Sequence, residues 1–205
     1  MSKKRVAILI SGRGSNMSAL IEAAKAPDYP AEIVGVLSNR AAAKGLEIAA
    51  AEGIATTSLA QSKFPVREMF EDVMTLVLEG WQVDYICLAG FMRVLAPDFV
   101  EHWAGKIINI HPSLLPLYKG LDTHARALAD GATVHGCTVH YVTPGLDEGP
   151  AILQAEVPVF PGDTPETLSA RILVEEHRIY PEALRMLAAG EITAPDSSLW
   201  SHQEN

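Results

Sequence analysis

Asn109 and His111 stand two residues apart in the run Lys106-Ile-Ile-Asn-Ile-His-Pro-Ser-Leu-Leu-Pro116. Ile107, Ile108 and Ile110 mark a short buried strand, which Pro112 ends by removing a ladder donor and fixing φ. In extended chain, residues two apart project from the same face. A polar pair on one face of an apolar strand is costly unless its groups are engaged. In an open α/β sheet the carboxyl end of a strand is where ligands bind. An amide and an imidazole held side by side there can donate hydrogen bonds to a developing oxyanion and shuttle a proton. The competing reading is a core histidine tied to a neighbouring backbone carbonyl.

A second candidate is Ser11-Gly-Arg-Gly-Ser-Asn16, which follows the apolar run 6–10 and precedes Met17, Leu20, Ile21 and Ala24 at helical spacing. Strand, glycine turn and helix form the opening of a phosphate-binding βαβ unit. The glycines let the backbone approach a ligand, and the free N–H groups and dipole of the helix favour an anion. Gly12 and Gly14 fit the dinucleotide fingerprint, but its third position falls on Met17, and Ser38-Asn39 replaces the acidic residue expected after the second strand. The Lys-Ser/Thr pair of a nucleoside-triphosphate loop is also missing. The turn therefore suits a single phosphate, with a purely structural turn as the alternative.

Asp147 lies in the turn-rich run Thr143-Pro-Gly-Leu-Asp-Glu-Gly-Pro150. Brought close to His111, its carboxylate favours the imidazolium. Unaided, a turn aspartate is more often a local backbone acceptor. The seven histidines include no H-E-x-x-H and no Cys–His zinc spacing, so no metal is expected; His135 and His140 reach one only by an accident of folding. His102 and His202 read as surface residues. No serine sits in a G-x-S-x-G elbow, so covalent acyl transfer lacks its nucleophile. If acyl transfer occurs here, the nucleophile belongs to the substrate, an amine rather than a side chain.

The elements that must position these groups alternate as in an α/β fold. Strands are expected at 6–10, 33–37, 54–59, 85–89 and around Asn109 and His111; helices at 41–52, 66–78, 97–103 and 122–129. The helix at 66–78 is expected to turn Met69, Val73, Leu76 and Val77 inward. The stretch Gly90-Phe-Met-Arg-Val-Leu is unusually apolar for a loop, and reads either as a wall for a flat ligand or as packing under the next helix. Runs 134–142 and 151–159 mix β-branched and polar residues, as antiparallel strands do. Asp163, with Glu166 three residues on, reads as a helix N-cap. Leu168, Ile172, Leu173, His177 and Tyr180 form the inner face of that last helix, which Pro181 disturbs. The expected fold is an open, mostly parallel Rossmann-like sheet flanked by helices, with antiparallel strands added in the C-terminal half.

Length and composition agree with one domain over residues 1–205, a phosphate-binding half at about 1–100 and a catalytic half at about 101–194, with 195–205 as a tail and the stretch from 192 onward loosely held. Net charge is −9, which leaves no broad basic footprint for nucleic acid, so an anionic ligand must be held by local features. Two cysteines make neither a disulfide framework nor a zinc cluster, and Cys87 reads as a small core residue. No run approaches membrane-spanning length, and the start is too short in apolar residues for a signal peptide. Cytoplasm is the expected location, as monomer or homodimer.

Taken together and in order, Ser11-Gly-Arg-Gly-Ser-Asn16, Ala89-Gly-Phe-Met-Arg93, Asn109-Ile-His-Pro-Ser-Leu-Leu-Pro116, Leu146-Asp-Glu-Gly-Pro150 and Glu176-His-Arg-Ile-Tyr-Pro181 resemble the phosphoribosylglycinamide formyltransferases, a branch of the folate-dependent formyltransferases. The resemblance runs from about Arg5 to about Ala194. The Asn-x-His-Pro-Ser-Leu-Leu-Pro run with a later Asp marks the wider group, and the early glycine turn narrows it to this branch.

The resemblance implies formyl transfer from 10-formyltetrahydrofolate to the amine of glycinamide ribonucleotide, in purine synthesis and without a metal. It assigns Gly14, Ser15 and Asn16 to the substrate phosphate and Glu176 to its ribose. Met92, Arg93, Val94 and Leu95 would line the folate pocket with Thr143, Pro144, Gly145, Leu146 and Asp147; Arg67, outside the strong motifs, aligns with a folate-contacting arginine. Asn109, His111 and Asp147 form the catalytic set, with Asn109 also at the folate. Arg13 and Asp122 fall at variable positions and receive no role. The expected partners are small molecules only, with no nucleic acid and no membrane. A methionyl-tRNA formyltransferase would need a further tRNA-binding domain, and a formyltetrahydrofolate hydrolase usually carries a preceding regulatory domain, whereas the glycine turn here begins at once. The reading from another class is a non-catalytic nucleotide-binding module.

Overall fold

The apolar runs become the strands of one sheet. A computed structural model of the chain describes residues 2–196, 199 and 200. The strands are β1 Lys4–Ile10, β2 Ala31–Ser38, β3 Ala55–Ser58, β4 Tyr85–Leu88, β5 Ile107–His111, β6 Val134–Tyr141 and β7 Ala151–Pro158. The helices are α1 Ser15–Ala24, α2 Lys44–Ala51, α3 Arg67–Gly80, α4 Pro97–His102, α5 Thr123–Ala129 and α6 Pro165–Ala188. Strand order is β3-β2-β1-β4-β5-β6-β7. The first five strands pair in parallel, while β6 and β7 run antiparallel. This is the expected sheet. Its order reverses between β1 and β4, and in doubly wound sheets ligands bind at the carboxyl ends of strands beside such a reversal.

β1 is fully buried from Val6 to Ile10, as a strand covered by helices on both faces must be. Cys87 is also fully buried, a small core residue as expected. α6 packs its Leu168, Ile172, Ile179, Tyr180 and Leu184 into the same core. The buried Tyr180 hydroxyl lies 3.0 Å from the Leu88 carbonyl and 3.1 Å from that of Ile108, so one O–H is shared between β4 and β5 below the Asn109/His111 end. No helix among the described residues is long and apolar enough to cross a membrane.

Four expectations need correction. α3 turns Phe70, Glu71, Met74 and Leu78 inward and leaves Met69 and Leu76 exposed. Two apolar stripes compete on this helix, and the one carrying Phe70 wins because that ring packs edge-on against Phe64, with centroids 5.6 Å apart. The N-cap of α6 is Thr164, which makes a reciprocal capping box with Thr167. Asp163, one residue earlier, pairs instead with Arg171, whose guanidinium at 2.8 Å holds its carboxyl well below the usual range. Pro181 removes one helical donor, yet α6 continues to Ala188 because Ala183, Leu184 and Leu187 keep burying its inner face. Finally, the stretch after residue 192 is anchored at Trp200, which is buried and donates from Nε1 to the Val142 carbonyl at 2.8 Å. Residues 201–205, with His202, lie outside the described residues.

Replacing Tyr180 by Phe removes the shared hydroxyl and keeps the ring. Stability should fall by about 0.5–1.5 kcal/mol, the usual worth of one such bond. The check is a urea titration showing a lower midpoint at unchanged slope. An unchanged midpoint would show that the hydroxyl does not tie β4 to β5.

Candidate active site

Asn109 and His111 are the third and last residues of β5, and their side chains share a face as the period of two requires. β6 runs antiparallel beside them, placing His140 opposite Asn109. Asp147 comes from the turn between β6 and β7. Its Oδ2 is 3.4 Å from His111 Nδ1, and its Oδ1 is 3.7 Å from His140 Nε2. The backbone N–H of Gly120 donates to Oδ2 at 2.9 Å. A carboxylate whose side chain is 10% exposed thus faces two imidazoles and one amide. Asn109, His111 and Asp147 are brought together, and His140, a residue with no assigned role in the sequence reading, lies between Asn109 and Asp147.

The ring nitrogens define how this cluster is wired. His140 Nδ1 lies 2.8 Å from the carbonyl of Tyr141, which can only accept, so the ring proton sits on Nδ1. Burial lowers the His140 pKa, against the opposing effects of that carbonyl and of Asp147. The ring is therefore neutral, and its Nε2 accepts from Asn109 Nδ2 at 3.2 Å. That bond orients the Asn109 amide and leaves its second N–H for another acceptor. His111 is bounded differently, with Nδ1 toward Asp147 and Nε2 3.0 Å from the carbonyl of Tyr118. A ring carrying a proton on each nitrogen satisfies both acceptors.

The backbone makes these contacts by unusual conformations. Asp147 has φ 51 and Tyr118 φ 54, in the left-handed region that non-glycine residues rarely adopt. At Gly149 an added Cβ would sit 1.7 Å from the Tyr141 carbonyl oxygen, so only glycine lets the turn close against β6. Strain of this kind concentrates at functional sites. Behind His111, His124 and His135 pack edge-on at 5.5 Å, and burial pushes the His135 imidazole down to about 4, which keeps it uncharged beside the cluster. Among the described residues no group of three or more His, Cys, Asp or Glu side chains is arranged to hold a metal.

The glycine turn sits at the carboxyl end of β1. Gly14, with φ +77, is the N-cap of α1, where an added Cβ would meet Met17 Cε at 3.0 Å and the Gly45 backbone at 3.2 Å. α1 has neither a side-chain cap nor an acidic residue in its first turn, so its leading N–H groups are open to an anion. Ser15 is exposed, whereas Asn16 is buried and its Nδ2 donates to Glu176 Oε2 at 2.6 Å. Its amide is thus engaged across the molecule by α6, and burial pushes the Glu176 carboxyl up.

The apolar stretch after β4 divides its work. Phe91 and Leu95 are buried in the core, while Met92 and Val94 are exposed. The packing reading therefore holds for Phe91 and Leu95, while Met92 and Val94 turn outward. Arg93 lies over the Phe70 ring at 4.7 Å, with Nε and Nη1 buried and without a protein partner. It lines a cavity of about 770 Å³ together with Arg67, Arg40, Phe64 and Met92. A second unanticipated residue, Glu71, holds this wall: its carboxylate accepts from Ala96 N at 2.9 Å, beside Arg67 and Arg93. In the turn 143–147, Leu146 is exposed and the others are partly buried.

The formyl transferase family model matches residues 4–184. The chain is 46% identical to the phosphoribosylglycinamide formyltransferase of Escherichia coli strain K12, over 95% of this chain and 92% of that protein. It is 49% identical to the human trifunctional purine biosynthetic protein adenosine-3, covering 93% of this chain but 19% of that longer protein. Its fold superposes on the crystal structure of phosphoribosylglycinamide formyltransferase from Brucella melitensis with a TM-score of 0.89 and 53% identity, over 95% of this chain and all of that one. A family model that matches residues 4–184, and a fold matched nearly end to end around a carboxylate that faces two histidines, place the chain in the formyl transferase family.

Proposed function

We propose that the chain transfers the formyl group of 10-formyltetrahydrofolate to the amine of glycinamide ribonucleotide, giving formylglycinamide ribonucleotide and tetrahydrofolate, a step of purine synthesis. The observation that carries this reading is the Asn109, His111 and Asp147 cluster at the carboxyl end of β5. The open N-terminus of α1 supplies the anion site at the neighbouring reversal of the sheet.

Gly14, Ser15 and Asn16 offer their backbone N–H groups to the phosphate, and Glu176, steadied by Asn16, accepts from the ribose hydroxyls. Folate lies between residues 92–95 and 143–147, with the exposed Met92, Val94 and Leu146 against its flat head. Arg93 and Arg67 hold its tail carboxylate; the buried, unpartnered Nε and Nη1 of Arg93 suit such a ligand. In this reading the phosphate residues come from about 1–100, the catalytic ones from about 101–194, and folate is held by both.

The substrate amine attacks the formyl carbon. The new C–N bond forms as the carbonyl π pair moves onto oxygen, and Asn109 donates its second N–H, the one not given to His140, to that oxyanion. His111 reaches it once the substrate displaces the Tyr118 carbonyl from Nε2. Asp147 compensates the imidazolium and relays the amine proton through water to the folate nitrogen, whose bond to the formyl carbon then breaks. The chemistry uses no covalent enzyme intermediate.

Three outcomes follow. Gly14→Val, which forces a β-branched side chain into a left-handed position, should raise KM for the ribonucleotide and leave folate affinity little changed; equal losses for both would count against a local phosphate site. Asn109→Leu should lower kcat by about 10²–10³, the scale for one oxyanion donor, while folding survives. Near-normal turnover in that variant would remove Asn109 from the mechanism. For the charge pair, His111→Asn alone should cost about 10²–10⁴, and Asp147→Asn should move the alkaline limb of the kcat profile toward acid because the imidazolium loses its counter-charge. The double variant should be little worse than the worse single one. Multiplying losses, or an unmoved pH profile, would show that the two do not act as a unit.

A further inference from the structure

The turn that meets both His111 and Asp147 is itself held by one side chain. Tyr118 offers its carbonyl to His111 Nε2 at 3.0 Å, and the Gly120 N–H donates to Asp147 Oδ2 at 2.9 Å. Tyr118, Gly120 and Asp122 have φ of 54, 78 and 56. Tyr118 and Asp122 are not glycine, and such backbone persists only where its surroundings over-determine it. Here the surroundings are Arg126 of α5. Its Nη1 donates to the Lys119 carbonyl at 2.6 Å and to that of Leu121 at 3.2 Å. Its guanidinium carbon lies 5.6 Å from the centre of the Tyr118 ring. α5 is a firm base for that reach, since Thr123 and Ala127 are buried and the Thr123 hydroxyl donates to the Pro112 carbonyl at 2.8 Å, just past β5.

Arg126 acts on the very peptide that faces Asp147. The Lys119 carbonyl and the Gly120 N–H belong to one planar trans group, so they point in opposite directions. With the carbonyl on Arg126, the N–H faces the other way, toward the carboxylate. Turned over, the same group would set a carbonyl against Asp147. The cation also polarises the peptide it holds, and hydrogen bonds in such a chain strengthen one another. Lys119 adds a tie through its ion pair with Glu148 at 2.9 Å, but that pair is open to water, where such contacts contribute little.

We propose that Arg126 is a positioning residue for the transfer: it fixes the 119–120 peptide so that Asp147 keeps the place from which it faces His111. The inference rests on the formyl-transfer reading above. It assigns Arg126 no contact with either substrate.

The test compares the unaltered chain with Arg126→Ala. The side chain is exposed, so the variant should fold. Its kcat should fall by about 10- to 100-fold, the cost of displacing a catalytic group by about 1 Å, with KM for either substrate little changed. The Gly120 amide proton, followed by NMR, should exchange with solvent faster than in the unaltered chain. In an Asp147→Asn background, Arg126→Ala should cost little more, because the two residues act as a unit. An unchanged kcat, or unchanged exchange at Gly120, overturns the inference and leaves formyl transfer standing. Losses that multiply with those of Asp147→Asn, or a raised KM at unaltered kcat, also overturn it. Absence of formyl transfer by the unaltered chain would sink the proposed function, and this inference with it.

Discussion

A carboxylate withdrawn from water must be met by donors or it gives up its charge, and much of this site is built around meeting that requirement at Asp147. One amide, from Gly120, and one imidazole, His111, reach Oδ2, while His140 faces Oδ1. The two rings are not equivalent. His140 is kept neutral by burial, against the opposing effects of the Tyr141 carbonyl and of Asp147, and its one proton sits on the Nδ1 that faces that carbonyl. The same neutral ring turns its lone pair to Asn109 and orients the amide. Asp147 and the neutral His140 ring therefore divide the work, one facing His111 and the other orienting Asn109.

That arrangement needs the mixed sheet. A parallel neighbour beyond β5 would be connected by a crossover, whereas antiparallel β6 brings His140 directly opposite Asn109 and returns to β7 through the short turn carrying Asp147. The left-handed φ of Asp147 and the close approach of Gly149 to β6 are what that turn needs to aim a carboxylate back at β5. α6 supports the assembly from below, through the Tyr180 hydroxyl under β4 and β5 and through Glu176 one turn nearer the site.

What could be read in the sequence were the features with short period. An isoleucine-rich run broken by proline announced β5, and a spacing of two put Asn109 and His111 on one face; a glycine turn between an apolar run and a helical pattern announced the uncapped start of α1. What escaped depends on register and on partners distant along the chain. His140 is paired with Asn109 by antiparallel register, which no local pattern encodes; the alternation of Thr138 and His140 along β6 was its only trace. Asn16 and Glu176 meet across 160 residues. On α3 two apolar stripes were equally periodic, and only the packing of Phe70 on Phe64 decides between them. Trp200 shows the same limit, since a single aromatic anchor leaves no periodicity to detect.

The distance between the two proposed ligand sites is bridged by one hydroxyl. Ser11, buried at the end of β1, donates to Asn39 Oδ1 at 2.6 Å and accepts from the Met92 N–H at 2.8 Å, while its own N–H donates to the Gly90 carbonyl at 3.1 Å. Gly45 N adds a bond to the Gly12 carbonyl, fastening α2 to the same turn. The loops after β1, β2 and β4 are thus hydrogen-bonded into one rim. Loops are ordinarily the most mobile parts of a domain, and a reaction that joins two bound molecules requires their sites to keep a fixed separation. Cross-bonding the loops to one another, rather than only to the strands beneath, meets that need while leaving the N–H groups of α1 and the side chains of Met92 and Val94 open to ligands.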